Sequence, residues 1–126
     1  METVTLKKYL RAILAGFMVI AGVNHFLQPE FYIPLIPDYL PFPGAINSVS
    51  GSLEFLFGCL LIWERYRLFA AYGLIALLLL FIPSHTYFIS LGSCIPQGLC
   101  TAAWVSWTRL ILVHPLLLFW VWYVRE

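Results

Sequence analysis

Charge is what this sequence has least of. Only 10% of its 126 residues are Asp, Glu, Lys or Arg, where a soluble domain carries about 25%. An ordinary soluble domain is therefore excluded. Seven basic residues against six acidic ones leave a formal net charge of +1. No basic run is dense enough to follow a phosphate backbone, which excludes nucleic acid as a partner. The chain also lacks a Gly/Ser-rich linker, a charged tail and an internal repeat, so it reads as one domain over residues 1–126. It has no nucleotide fingerprint, no haem attachment signature and no strong metal motif. Its three cysteines include no C-x-x-C pair, which argues against a thiol relay that exchanges disulfides with a substrate. The period-two alternation of outer-membrane strands is missing as well.

What is present is apolar. Hydrophobic residues make up 62% of the chain and aromatics 17%, with a mean hydropathy of +0.89. Four long apolar stretches leave most of the chain without a water-facing side, and the lipid bilayer becomes its expected solvent. The spans run over about 9–27, 45–63, 68–89 and 103–123, each long enough to cross a hydrocarbon core of ~30 Å. The positive start at Lys7, Lys8 and Arg11 precedes a stretch that is long and lacks an Ala-x-Ala exit, so it reads as an uncleaved anchor.

Pro29, Pro34, Pro37, Pro41 and Pro43 break the chain between the first two spans. With Phe31, Tyr32, Tyr39 and Phe42 among them, this segment predicts a structured flap across one mouth of the bundle. The short turn Glu64-Arg65-Tyr66-Arg67 forces the third span back beside the second. Pro83 predicts a kink in the third span. Lys7, Lys8, Arg11, Arg65, Arg67 and Arg125 collect at one face, whereas the opposite loops hold Glu30 and Asp38 apart from Arg109. The positive-inside rule then predicts an all-α integral membrane protein, an antiparallel four-helix transmembrane bundle with both termini cytoplasmic. The location is a multi-pass protein of the inner (cytoplasmic) membrane.

Within the spans, the informative residues are those that are costly to bury in lipid. Glu54 lies roughly 14 Å from the outer end of the second span, where an ionised carboxylate needs a partner or a proton. Gly51, Glu54 and Gly58 share a helical face, which lets another helix approach the carboxyl group. Arg109, roughly 9 Å inside the fourth span, is the expected partner of Glu54; snorkelling to the surface is the alternative. His25 closes the first span, and His85 lies near the outer end of the third. One polar group from each of four spans thus predicts a shared pocket of His25, Glu54, His85 and Arg109. An interhelical structural role and a role as ligand or proton site both remain open for Glu54. Asn24, Ser50, Ser84 and Tyr87 are supporting hydrogen-bond groups. His114, five residues from Arg109, is turned about 140° away on an α-helix and is placed outside the site. No metal site is expected, because the histidines lack a second ligand at helical spacing. Cys94 and Cys100, in the third loop on the oxidising side, suit a structural disulfide. Cys59 reads as a packing residue.

The ordered motifs Ala21-Gly22, His25-Phe26, Pro29, Tyr32, Ile36-Pro37, Leu40-Pro41-x-Pro43 and Ser50-Gly51-x-x-Glu54-x-x-x-Gly58 are followed by three more. These are Arg67-Leu68-x-Ala70-Ala71-x-Gly73-Leu74, the Pro83 to Tyr87 segment and Arg109-Leu110. Together they resemble the DoxX-like family of small four-span membrane proteins over nearly the whole chain. His85 stands where that pattern commonly has Asn, and Ile111 and Val113 replace its Pro and Gln. The family takes its name from membrane subunits associated with thiosulfate oxidation and quinone reduction, and other members resemble assembly factors.

The resemblance implies an accessory subunit of a membrane redox system rather than a stand-alone enzyme. It would bind a quinone-like or lipidic ligand in the outer polar pocket, with quinone as the candidate cofactor. A membrane-protein assembly factor or scaffold without small-molecule chemistry is the alternative. A small-solute transporter ranks lower, since four spans leave little room for two repeats. Expected partners are the lipid bilayer and other membrane redox or assembly proteins, and a homo-oligomer is compatible with this composition.

Overall fold

A proline-free run and then Gln28-Pro29 dictate the first element. Helix α1 spans Glu2–Leu27 and stops where the residue before proline leaves the helical region. It starts seven residues ahead of the apolar stretch at Tyr9. The computed structural model describes residues Met1–Glu126. After α1 the proline-dense segment folds as a one-turn helix α2 (Pro29–Tyr32) and a 3-10 turn (Ile33–Leu35). Pro43 then opens α3 (Pro43–Leu60) at the first helical turn, the position where a missing N–H costs nothing.

The remaining rods are both interrupted. Helix α4 (Arg67–Leu80) and helix α5 (Ile82–Ser90) form one rod broken at Phe81. Pro83 has no N–H to continue the ladder and clashes with the preceding turn. The last rod consists of α6 (Ala103–Thr108), a π-helical turn (Arg109–Val113) and α7 (His114–Val124). Between them, residues Leu91 to Ala102 hold the Cys94–Cys100 disulfide. An isolated antiparallel bridge joins these two cysteines, and the chain forms no strand.

The fold is all-α, a helical bundle. Helix α1 packs on α3, α3 on α4, α4 on α7, and α7 returns to α1. Three rods, Glu2–Leu27, Arg67–Ser90 and Ala103–Val124, are long and apolar enough to cross a membrane. Helix α3 is not among them, because Asn47, Ser48, Ser50, Ser52 and Glu54 dilute its apolar content. It also ends at Leu60, short of the expected Trp63.

The core lies toward the end where both termini meet. Leu14, Ala15 and Met18 of α1 pack with Ala70, Ala71, Leu74 and Leu78 of α4 and with Val121 and Val124 of α7. Arg11 seals this end: its Nε donates to the Val124 carbonyl at 2.9 Å, and its guanidinium also donates to the Glu126 carbonyl. Trp120 Nε1 donates to the Leu10 carbonyl at 3.1 Å. A charge buried against backbone oxygens in this way ties α1 to α7, with the Glu64 carboxylate lining the same pocket.

Candidate functional site

At the opposite end the helices do not close on one another. Glycines bring two of them into backbone contact there. A Cβ on Gly22 would lie 2.6 Å from the Gly51 carbonyl oxygen and from the Phe55 nitrogen, and one on Gly51 would lie 2.6 Å from His25 Cβ. Helix α1 therefore meets α3 at a distance only glycine permits.

This approach sets three polar side chains against each other. Asn47 Nδ2 donates to the His25 carbonyl at 2.9 Å, which leaves Asn47 Oδ1 as the acceptor facing His25 Nδ1 at 2.7 Å. His25 Nδ1 must therefore carry a hydrogen. Its other nitrogen, Nε2, lies 3.0 Å from Glu54 Oε2. A bare imidazole nitrogen and a bare carboxylate oxygen would repel, so one proton belongs to that contact, as imidazolium with carboxylate or as imidazole with carboxylic acid. Oε2 is shielded from solvent and has no hydrogen-bond partner beyond this contact. All three residues are buried: His25 is 8% exposed, Asn47 4% and Glu54 6%. Tyr32 stacks on the His25 ring, centroids 3.9 Å apart, and its hydroxyl accepts from Asn24 Nδ2 at 2.7 Å.

The cluster forms part of the wall of a cavity of about 750 Å³. Apolar side chains such as Phe17, Leu53, Leu77, Phe81 and Leu117 make most of the lining. Leu35 to Pro37 and Leu40 to Phe42 of the proline-rich segment border it. His25, Glu54, His85 and Arg109, one from each rod, all line this space, as do Ser50 and Ser84. Asn24 reaches it only through Tyr32, and Tyr87 does not line it.

Two expectations are corrected. Arg109 does not pair with Glu54; the partner is His25, and Arg109 makes no ion pair. Estimates of depth along a helix place residues at a height but do not say which neighbouring helix they face, and the glycine contact decides that in favour of α1. The second correction concerns His114, which belongs to the site. The His114 N–H bonds to the Arg109 carbonyl, five residues back. A π turn stacks residues five apart that an α-helix would turn away from each other. His114 is buried, its ring lies 4.8 Å from that of His85, and its Nε2 donates to the Leu78 carbonyl at 2.6 Å. That carbonyl sits in the last turn of α4, just before the break at Phe81.

Asn47 and His114 are the site residues that sequence reasoning missed. Asn47 had a signal, since 47, 51, 54 and 58 form one helical stripe, and these four are the buried residues of α3. For His114 the signal was Pro115, which denies the preceding turn an N–H donor and so favours a widened turn.

The family described as Domain of unknown function (DUF8561) matches residues 14–125, which includes every residue of this cavity. The chain belongs to that family. No curated protein and no solved structure matches it. The DUF8561 match takes in α1 from Leu14 onward and the other three rods in full. The chemistry has to be argued from the cavity itself.

Proposed function

We propose that this protein is a membrane-embedded accessory subunit of a redox system that holds a quinone-like or lipidic ligand in the cavity at the loop end of the bundle. Support for the membrane setting comes from the surface. Although 62% of the chain is hydrophobic, only 24 of 126 residues are buried. Ile13, Ile20, Ile111, Leu112, Leu116 and Phe119 stay exposed on the rods and suit contact with acyl chains. Lys7, Lys8, Arg65, Arg67 and Arg125 gather at the end of the termini, an asymmetry that supports a cytoplasmic orientation of that end in an inner-membrane protein. The four rods, α3 included, then act as four spans. The exposed disulfide loop falls on the oxidising side.

One observation carries the ligand reading: an apolar cavity has in its wall a buried His25–Glu54 contact that holds a proton at His25 Nε2 or Glu54 Oε2, while Asn47 fixes the hydrogen on His25 Nδ1. Such a pair can give a proton to a ligand head or take one from it, while the apolar lining receives a hydrocarbon tail. The redox assignment rests on the resemblance to the DoxX-like family and on this proton chemistry.

Glu54→Gln tests it. A glutamine amide can donate to the bare His25 Nε2, so the helix contact survives while the shared proton is lost. Native mass spectra of the wild type in mild detergent should retain a quinone-sized or lipid-sized adduct that the variant loses. An adduct unchanged in the variant would remove the role of Glu54. A stoichiometric protein partner with no small ligand would favour the assembly reading instead.

A further inference from the structure

The cavity carries one charge that nothing answers. Glu54 is its only carboxylate and is occupied by His25, so that pair contributes no net charge. Glu30 and Asp38, the acidic residues of the proline-rich segment, do not line it. His114 donates from Nε2 to a backbone carbonyl, and His85 lies edge to face against it. Arg109 lines the same space, makes neither an ion pair nor a side-chain hydrogen bond, and cannot shed its charge. Arg11 at the other end shows what a settled arginine looks like here: it donates to the Val124 and Glu126 carbonyls.

We infer that the occupant of the cavity is an amphiphile with an oxyanion head, a carboxylate or a phosphate monoester, seated on Arg109 with its hydrocarbon chain along Phe17, Leu53 and Phe81. The π turn sets the geometry. It places Arg109 and His114 on one face, so the guanidinium and the His85–His114 pair bound the head from the last two rods. Guanidinium offers a planar fork of N–H donors that fits two oxygens at once, and in an apolar surrounding such a charge-assisted pair is strong. The head then shares this cavity with the proton of His25 and Glu54. This inference rests on the cavity being a ligand site and narrows that reading to a charge class.

The test compares three heads on one chain length: hexadecanoic acid, hexadecyl phosphate and hexadecanol, titrated onto delipidated protein and followed by native mass spectrometry. The acid or the phosphate should bind at least about tenfold tighter than the alcohol, and whichever is tighter identifies the head. Arg109→Gln should abolish that advantage, while Arg109→Lys, which keeps the charge but not the fork, should retain part of it. Equal binding of acid, phosphate and alcohol by the wild type would overturn the inference and leave the cavity reading intact. An advantage that persists in Arg109→Gln would overturn it too. Binding of none of the three would overturn both.

Discussion

The two ends of this bundle are built from the same four rods and could hardly differ more. Toward the termini, Leu14, Met18, Leu74, Val121 and Val124 are 0–1% exposed and interlock. Toward the loops, the rods enclose a cavity of about 750 Å³. Three local devices account for the change. Glycines pull α1 and α3 together at Gly22 and Gly51. Pro83 ends the regular ladder of the third rod at Phe81. The π turn ahead of Pro115 widens the fourth. A tight contact on one side and two broken rods on the other leave space between. The bundle thus places its packed apolar core toward one end and its apolar cavity, with the buried His25–Glu54 contact, at the other.

Substituting one leucine at each end is the strongest way to break this comparison. Leu74 is fully buried in the core, and Leu74→Ala leaves a void among α1, α4 and α7. It should cost about 4 kcal/mol, within the usual range for such truncations. Leu53 is half-buried and already borders empty space, so Leu53→Ala should cost about 1 kcal/mol. Denaturant titration in a fixed detergent gives both values. Equal losses would mean that the loop end is packed in solution, with something filling the cavity.

Next in size is the helix contact. In Gly22→Ala the new methyl group meets backbone atoms of Gly51 and Phe55 at 2.6 Å, and neither can rotate away. About 3 kcal/mol of stability should be lost, the upper part of the range for overpacking. The same shift must also separate His25 from Glu54 and Asn47. Ligand retention should therefore fall in Gly22→Ala even where the protein still folds, and should persist in Leu74→Ala under conditions that keep it folded.

Much of this was legible in the sequence, in proportion to how local the physics is. Proline positions gave the segment between α1 and α3 and the break near Phe81, because a missing N–H acts within one turn. The stripe of Gly51, Glu54 and Gly58 identified the close-packing face of α3. The four candidate residues do line one cavity. What was not legible was the partner of each polar group. Depth alone pairs Glu54 with Arg109, yet azimuth around the bundle is a property of packing, and the glycine contact turns Glu54 toward α1. A constant 100° per residue turns His114 away from the site, and the π turn does not obey it. In sequence Arg11 belongs to a basic flank, whereas in the fold it is a buried clamp on the last turn of α7.

The smallest expected effect sharpens the comparison most, because it repeats a substitution on the same helix. Gly16 lies six residues before Gly22 on α1 and is exposed, and a Cβ there would meet nothing within 4 Å. Glycine inside a helix is disfavoured relative to alanine, so Gly16→Ala should stabilise the protein by about 0.7 kcal/mol. The sign then reverses between two chemically identical changes a turn and a half apart, and only the neighbouring helix can cause the reversal. If Gly16→Ala destabilises instead, the face of α1 that carries Ile13, Gly16 and Ile20 is covered by another protein surface and not by acyl chains. Crosslinking from that face would then distinguish a second copy of this chain from a different subunit, which is the partner an accessory protein requires.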